Sequence, residues 1–442
     1  VPLPKERAPV SRLHGAVGHT LFKSALSRFE RGQHVLNNKE FTTGQRIKYF
    51  REHRGLSQKA FAELVGRKEN WAYKIEHDQL VVDSLSLLIE IARVLRIKNL
   101  ADLTGGFLSG LAIGRDNEHV HVPEIRRTLS LPTSLLPSST GEVSVDAVIE
   151  AVRDAWTTYE TQAKDRYEVV GSSLPQLLRM GHAALRDAHA PEQEASALRE
   201  LISLYGLHQI WLRRVGEPTL ARIAADRGLA LAESAGDPAL LAAAAWNLSC
   251  VLTTAGDVED SVELARQTIS VCRPGDNASK EHLSAYGALH LQAAVAAVRA
   301  NQKTVAWDLF HSAERVAEQL GADYNHWHAC FGPTNVAMHG VHLTAEEGDT
   351  VEALRLADTV NVPDDMPLER HSRYLIELMN CNRIQRDDYA TVYMLTRLTK
   401  QSPEEVTFSP LVRSAVTDLL KRERPTFRDD LRRVAAHIGV AA

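Results

Sequence analysis

The segment "RKENWAYKIE", Arg67 to Glu76, gathers side chains suited to chemistry with another molecule. Lys68 can donate to the major-groove edge of guanine, Asn70 can bridge that of adenine, and Glu69 can accept from cytosine. Tyr73 stands one helical turn further and joins them as a candidate reader. Upstream, Gln58 opens a helix whose positive end suits a phosphate oxygen, while Lys59 and Lys74 can add phosphate contacts that carry no sequence information. This is recognition chemistry. Covalent catalysis would call for a phosphate loop, a nucleophile elbow or a zinc-binding helix, and GxxxxGK[ST], GxSxG and HExxH do not occur in the 442 residues. Neither enzymatic activity nor a cofactor is expected.

Readers must be held at a fixed angle, which explains Gly66. Inside one continuous helix a glycine costs about 1 kcal/mol relative to alanine. Between two short helices it supplies a tight turn, and apolar residues at three- and four-residue spacing (Ile47, Phe50; Phe61, Leu64, Val65; Leu85, Leu88, Ile91, Ala92, Leu95) place helices on both sides. Gly55 can end the first helix, Ser57 can cap the second, Ser84 the fourth, and Asn99 can start a fifth. The arrangement has the form of a helix-turn-helix, whose second helix enters the major groove by its N-terminal residues. Charge agrees with that reading. Residues 1–110 hold 18 Lys and Arg against 11 Asp and Glu, a net +7, although the whole chain carries −5 and the remainder therefore −12. A basic head on an acidic body is the distribution expected when only the head meets phosphate. A small helical bundle used only for protein contact is the alternative, and Trp71 suits packing better than base stacking.

The span from Gly44 to Leu95 resembles the Cro-type, xenobiotic-response-element (XRE) family of helix-turn-helix repressors, with "RGLSQ" before "FAELVG", "IE" closing the reading helix, and "SLSLLIEIARVL" after it. The resemblance implies a double-stranded DNA operator and a pairing of the first-helix arginine, here Arg51, with the glutamate closing the third helix, here Glu76. Lys68, Trp71 and Asp78 depart from the family's usual serine, small polar residue and glycine, so the operator sequence does not follow.

Residues 106–141 turn to Gly, Pro and Ser and read as a linker, since Pro132 and Pro137 disfavour helix. Residues 1–40 show no sustained pattern and read as a mobile arm, leaving 41–105 as the head. From 142 to 442 the chain is alanine-rich, helical and self-similar. Turns at Gly216, Gly256, Asn301 and Gly348 are spaced 40, 45 and 47 residues apart, with a weaker copy from Gln385. Periods of this length signal stacked helical hairpins. Ala221, Ala306 and Ala353, five positions after their turns, and Ala265, nine positions after its turn, let the paired helices approach, and "SPEEVTF" onward reads as a charged cap. The pattern resembles degenerate tetratricopeptide repeats with a period longer than that family's 34. The fold expected is all-α: a five-helix head followed by a solenoid of hairpins.

Across its length the chain also resembles an actinobacterial group of such regulators with tetratricopeptide-like C-terminal domains, through "ENWAYKIEH", "FGPTNVAMHG", "GDTVEALRLAD" and "FSPLVRSAVTDLLKRE". That resemblance implies a homodimeric, cytoplasmic, ligand-modulated regulator, with repression favoured over activation. In peptide-sensing relatives, asparagines on the first helix of each hairpin hold a peptide backbone. The matching positions are Asn247, Asn335 and Asn380, with Trp211, Trp246 and Trp327 as apolar surfaces for a peptide or small molecule. A non-enzymatic interaction scaffold, or an antirepressor partner with weak DNA specificity, is the rival function.

Other features are bland. No apolar run approaches the roughly 18 to 20 residues that span a bilayer, and the first residues lack a signal-peptide core, so no membrane is expected. Cys250, Cys272, Cys330 and Cys381 lack CxxC spacing and read as buried thiols. His326, His328, His339 and His342 invite a metal, but only His339 and His342 share a helical face and no acidic partner completes a site, so none is expected.

Overall fold

The computed structural model describes residues 42–77, 85–97, 103, 119–136 and 143–440. The arm over 1–40, Asp78, Ser84, Asn99 and half of the expected linker lie outside them. The chain divides into two compact units, 1–117 and 118–442. It is all-α: among the described residues there is no strand, only an isolated bridge between Tyr324 and Phe331.

In the first unit, α1 (Thr43–His53) begins at a capping box in which Thr42 and Gln45 satisfy each other's backbone N–H groups. Arg54 caps its end and Gly55 turns the chain at φ +66°. Ser57 Oγ then accepts from the Ala60 N–H and starts α2 (Gln58–Leu64). Gly66, at φ +70°, makes the turn into α3 (Glu69–Glu76), a conformation other residues adopt only at a cost. With α4 (Leu85–Leu95) these helices bury Ile47, Phe61, Ala62, Ala72, Ile75, Ile91 and Leu95 around one core, to which Leu103 adds its side chain. Trp71 packs on the edge of that core, its ring 6.0 Å from Phe61.

The second unit starts earlier than the composition suggests. Val122–Ser130 is a helix, α5, within the expected linker, and Val122, Ile125 and Leu129 are buried in the core of the body. Pro123 occupies the first turn, where a proline is tolerated, and Pro132 follows the end, so proline bounds this helix rather than preventing it.

A hairpin of α6 (Val145–Thr161) and α7 (Arg166–Arg186) comes next, turned by Asp165 at φ +58°. Five more hairpins follow. They are α8 (Pro191–Arg214) with α9 (Pro218–Ala235), α10 (Pro238–Ala255) with α11 (Val258–Val271), and α12 (Lys280–Arg299) with α13 (Lys303–Leu320). The last two are α14 (Pro333–Glu346) with α15 (Thr350–Ala357) and α16 (Leu368–Ile384) with α17 (Asp388–Gln401). Their turns carry left-handed residues at Gly216, Gly256, Asn301, Gly348 and Arg386. Ala221, Ala265, Ala306 and Ala353 are all buried where the paired helices approach. The long period comes from long helices, 24 residues in α8 and 20 in α12, and from the connection between Leu320 and Pro333.

α10 is 18 residues long and apolar enough, by length and composition, to cross a bilayer, which the reading of apolar runs passed over. It is largely buried, with Ala242 to Ala245 against neighbouring helices, so core packing accounts for its composition. The chain finishes in α18 (Pro403–Phe408), α19 (Pro410–Leu420) and α20 (Arg428–His437), which share a core with α16 and α17 through Val406, Val416, Leu419 and Leu431.

The array then closes on itself. Arg166, fully buried at the start of α7, donates from Nη2 to Glu405 Oε1 at 2.7 Å, and the Tyr167 hydroxyl donates to the same oxygen at 2.5 Å. The Phe408 ring meets that of Tyr167 edge-on at 5.0 Å. The last hairpins therefore sit against the first.

Candidate functional site

Two regions, one in each unit, can recognise another molecule. In the first unit α3 buries Ala72, Ile75 and Glu76, rests Trp71 on the core edge, and turns its other residues outward. Lys68, Glu69, Asn70, Tyr73 and Lys74 are all exposed, as is Lys59 on α2. Lys68 is the N-cap of α3 and makes no capping bond, so its side chain and the free N–H groups of the first turn point into solvent. Tyr73 stacks on His77 at 4.1 Å, which holds its ring along the helix.

A buried polar knot fixes the angle of this helix. Arg51 Nε donates to Glu76 Oε1 at 2.5 Å and Arg51 Nη2 to Glu76 Oε2 at 2.9 Å, a two-pronged pair, while Nη1 caps the Leu56 carbonyl at 2.7 Å. The bond to Glu76 lifts the guanidinium above its ordinary range against the opposing effect of burial. Gln58 Nε2 also donates to Glu76 Oε2, at 2.8 Å. The residue expected to reach phosphate thus ties the start of α2 to the end of α3, and its contribution to a phosphate site is positional. The neighbouring Glu76 carboxylate outweighs solvent as a partner for its amide.

In the second unit the first helices of all five later hairpins face one cavity of about 500 Å³. Trp246 and Asn335 line it. The other four expected ligand residues do not. Trp211 is fully buried between α8 and α7, donating to the Tyr167 carbonyl at 3.0 Å against Gly171. Asn247 accepts from Gln209 Nε2 at 2.7 Å and packs on Gly206, one helical position away from the face that carries Trp246. Trp327 donates to the Glu281 carbonyl at 3.1 Å beneath the Arg199 guanidinium. Asn380 is half-buried on α16, on the same helical face as Glu377 but nearly a turn beyond it, and does not line the cavity. Aromatic and amide side chains at helix-hairpin spacing serve stacking here more often than an open wall.

What sequence reading missed is charge. Arg213, Arg214, Arg299, Arg370 and Arg373 reach the cavity against Glu369, Glu377 and Glu405. On α16, Glu369, Arg373 and Glu377 recur every fourth residue and so form one stripe, a signal present in the sequence on a helix of otherwise core type. Arg214 pairs with Glu369, and Glu377 pairs with His342 at 3.3 Å. Burial would raise both carboxyls, yet Arg214 holds Glu369 well below the carboxylate range and His342 brings Glu377 down to about 2. Burial, with Arg370 adding to it, pushes His339 down to about 3, so this imidazole is neutral and donates to the Asn335 carbonyl at 2.8 Å. Among the described residues no group of three or more His, Cys, Asp and Glu is placed to hold a metal.

One wall is a strained loop. Trp327, His328 and Cys330 all take positive φ, 56°, 58° and 51°, each at a cost of about 1 to 3 kcal/mol. Partners on distant helices hold it: His328 stacks on Trp156 at 3.6 Å and bonds Glu160 at 2.8 Å, and Asn325 donates to the same carboxylate. The loop presents His328, Ala329 and Cys330 to the cavity.

No family model matches the chain, and no curated protein does. Among solved structures it is similar to that of Bacillus thuringiensis PlcR in complex with the peptide PapR7 and DNA, at 17% identity over 63% of this chain and 95% of that one. The TM-score is 0.27, too low a likeness to bear on function.

Proposed function

We propose that the chain is a sequence-specific, DNA-binding transcriptional regulator whose repeat body receives an effector, a peptide or a small molecule. One observation carries this reading: a short helix set by Gly66 and the Arg51–Glu76 pair turns Lys68, Glu69, Asn70, Tyr73 and Lys74 to solvent together, with the residue types that match base edges and phosphates. The +7 charge of residues 1–110 supplies the sequence-independent attraction on which such binding depends. The protein acts as a homodimer on two half-sites about 34 to 36 Å apart, and an effector in the body changes which head spacing is populated. Repression is favoured by the XRE resemblance.

The experiment is selection of binding sites from random duplex DNA with the full chain, followed by competition against excess non-specific DNA. One enriched motif that survives competition supports the reading. If no sequence is enriched, or random duplex displaces every selected site, the head has no operator and the interaction-scaffold function replaces it.

A further inference from the structure

We infer that the cavity of the repeat body binds a small organic oxyanion, a carboxylate or phosphate group on an apolar body, with Arg213, Arg370 and Arg373 as its anchors. The inference rests on the body being the effector-receiving part of the protein, and it names the chemistry of that effector.

The carboxylates around the cavity are already engaged. Glu369 is held by Arg214, Glu377 by His342, and Glu405 by Arg166 and Tyr167 from behind the wall. Arg299 is neutralised by Glu346 at 2.6 Å. Three cations remain with no carboxylate in ion-pair range among the described residues. Arg213 reaches only the Cys250 carbonyl and Thr254 Oγ1, both at 3.3 Å, and its Nε is buried without a partner. Arg370 uses Nε alone, donating to Asn335 Oδ1 at 2.6 Å. That bond steadies the guanidinium and leaves its paired terminal nitrogens as a fork of the kind that grips carboxylate and phosphate. Arg373 has no hydrogen bond or ion pair at all among the described residues. The Arg214 charge, and then burial, pull its guanidinium down to about 10, although the more distant charges of Glu405, Glu369 and Glu377 oppose the shift.

The cavity wall carries five arginines against three glutamates, an excess of positive charge at partly buried positions that an entering anion would offset. The rest of the wall fixes what that anion carries. Ile210, Trp246, Leu291, Val295, Phe408 and Leu411 give the cavity an apolar side, and its volume lies within the range of small-molecule sites. A bare inorganic ion would leave that side unfilled. A polynucleotide would not fit the space.

The test uses the full chain in calorimetric titrations with three matched pairs of probes: octanoate and 1-octanol, octyl phosphate and 1-octanol, and trileucine and trileucine amide. The member of at least one pair that bears the carboxylate or phosphate is expected to bind roughly ten- to a hundredfold tighter than its counterpart without that group, the gain typical of charge-assisted bonds. The pair with the largest ratio identifies the source as acyl carboxylate, organic phosphate or peptide C-terminus. Arg370→Met and Arg373→Met should remove that preference, and Arg266→Ala, at an exposed cation on α11 outside the cavity, should leave it intact. Arg373→Met removes no hydrogen bond and relieves the repulsion from Arg214, so the variant should melt close to the parent chain, which separates lost binding from lost folding. The proposal is overturned if probes with and without the anionic group bind equally in all three pairs, or fail to bind, or if both arginine variants keep the preference. Site selection with the same preparation distinguishes the failures: an enriched operator without oxyanion binding removes only this site. Oxyanion binding without an operator removes only the regulatory reading.

Discussion

Glu405 accepts from Arg166 at 2.7 Å across 239 positions of chain, and both groups are buried. A charge pair of this kind adds little when intact, because two desolvation penalties offset the attraction, yet losing one member strands the other. Glu405→Ala should destabilise the body by about 3 to 5 kcal/mol, since it also strips the Tyr167 hydroxyl of its acceptor. Differential scanning calorimetry reads this directly. A loss below about 1 kcal/mol would mean that closure of the array contributes nothing to its stability.

The head carries its own pair. Glu76→Ala leaves Arg51 buried and releases Gln58, so the transition of the first unit should move to lower temperature while that of the second stays in place. One unshifted transition in the calorimeter would show that the pair does not organise the helix-turn-helix.

On a selected operator, Lys68→Ala and Asn70→Ala should each weaken binding by about 1 to 3 kcal/mol and relax discrimination at one base position. Lys59→Ala and Lys74→Ala should weaken every duplex alike and reduce the salt dependence. All four side chains are exposed, so melting temperatures should not change. Unaltered affinity and site preference in Asn70→Ala would place the reading surface elsewhere.

Two buried histidines and one half-buried at the cavity make the body sensitive to acid. Burial pushes His182 and His208 down to about 4 and His339 to about 3, with Arg186 and Arg227 adding to the effect at His182. The unfolded chain, titrating near about 6.5, takes up these protons first, so stability is full above that pH and is lost as pH falls through 6.5 towards 4 and below. The expected loss is a few kcal/mol in all, read as falling denaturant midpoints between pH 7 and pH 4. His182→Gln should flatten part of that profile. A profile unchanged in shape in this variant would show that the imidazole is protonated in the fold.

The fifth hairpin turn places Arg386 at φ +60°, where four equivalent turns use glycine or asparagine. Arg386→Gly should stabilise the body by up to about 1 kcal/mol, the steric gain being partly offset by the greater freedom of glycine when unfolded. Chemical denaturation measures it, and destabilisation would show that the arginine side chain holds the turn.

Much of this architecture is legible from residues. Gly66, Ser57 and the apolar spacing of α1 to α4 announce the head, because local turn and cap chemistry decides it. Turn residues with alanines five or nine positions on disclose four hairpins for the same reason. The α6–α7 hairpin escapes, since its turn is made by Asp165 rather than glycine, and helix α5 escapes because prolines bound it without interrupting it. The cavity is harder still. Whether a tryptophan on a first helix faces the open space, as Trp246 does, or the next helix, as Trp211 does, depends on how the array closes. That closure is made by Glu405 and Phe408, residues far along the chain whose partners no local pattern reveals.

The order in which a ribosome delivers this chain gives the closure a cost in time. Residues 166 and 167 emerge long before residue 405, and at roughly 5 to 20 residues per second the 239-position gap lasts on the order of 10 to 50 s. Throughout that interval the guanidinium of Arg166 and the rings of Tyr167 and its neighbours lack the lid that buries them in the finished protein. The nascent body is thus an open helical stack with an adhesive patch at its leading end, and the final helices convert it into a sealed object only after the growing chain has carried that patch unprotected through the crowded cell.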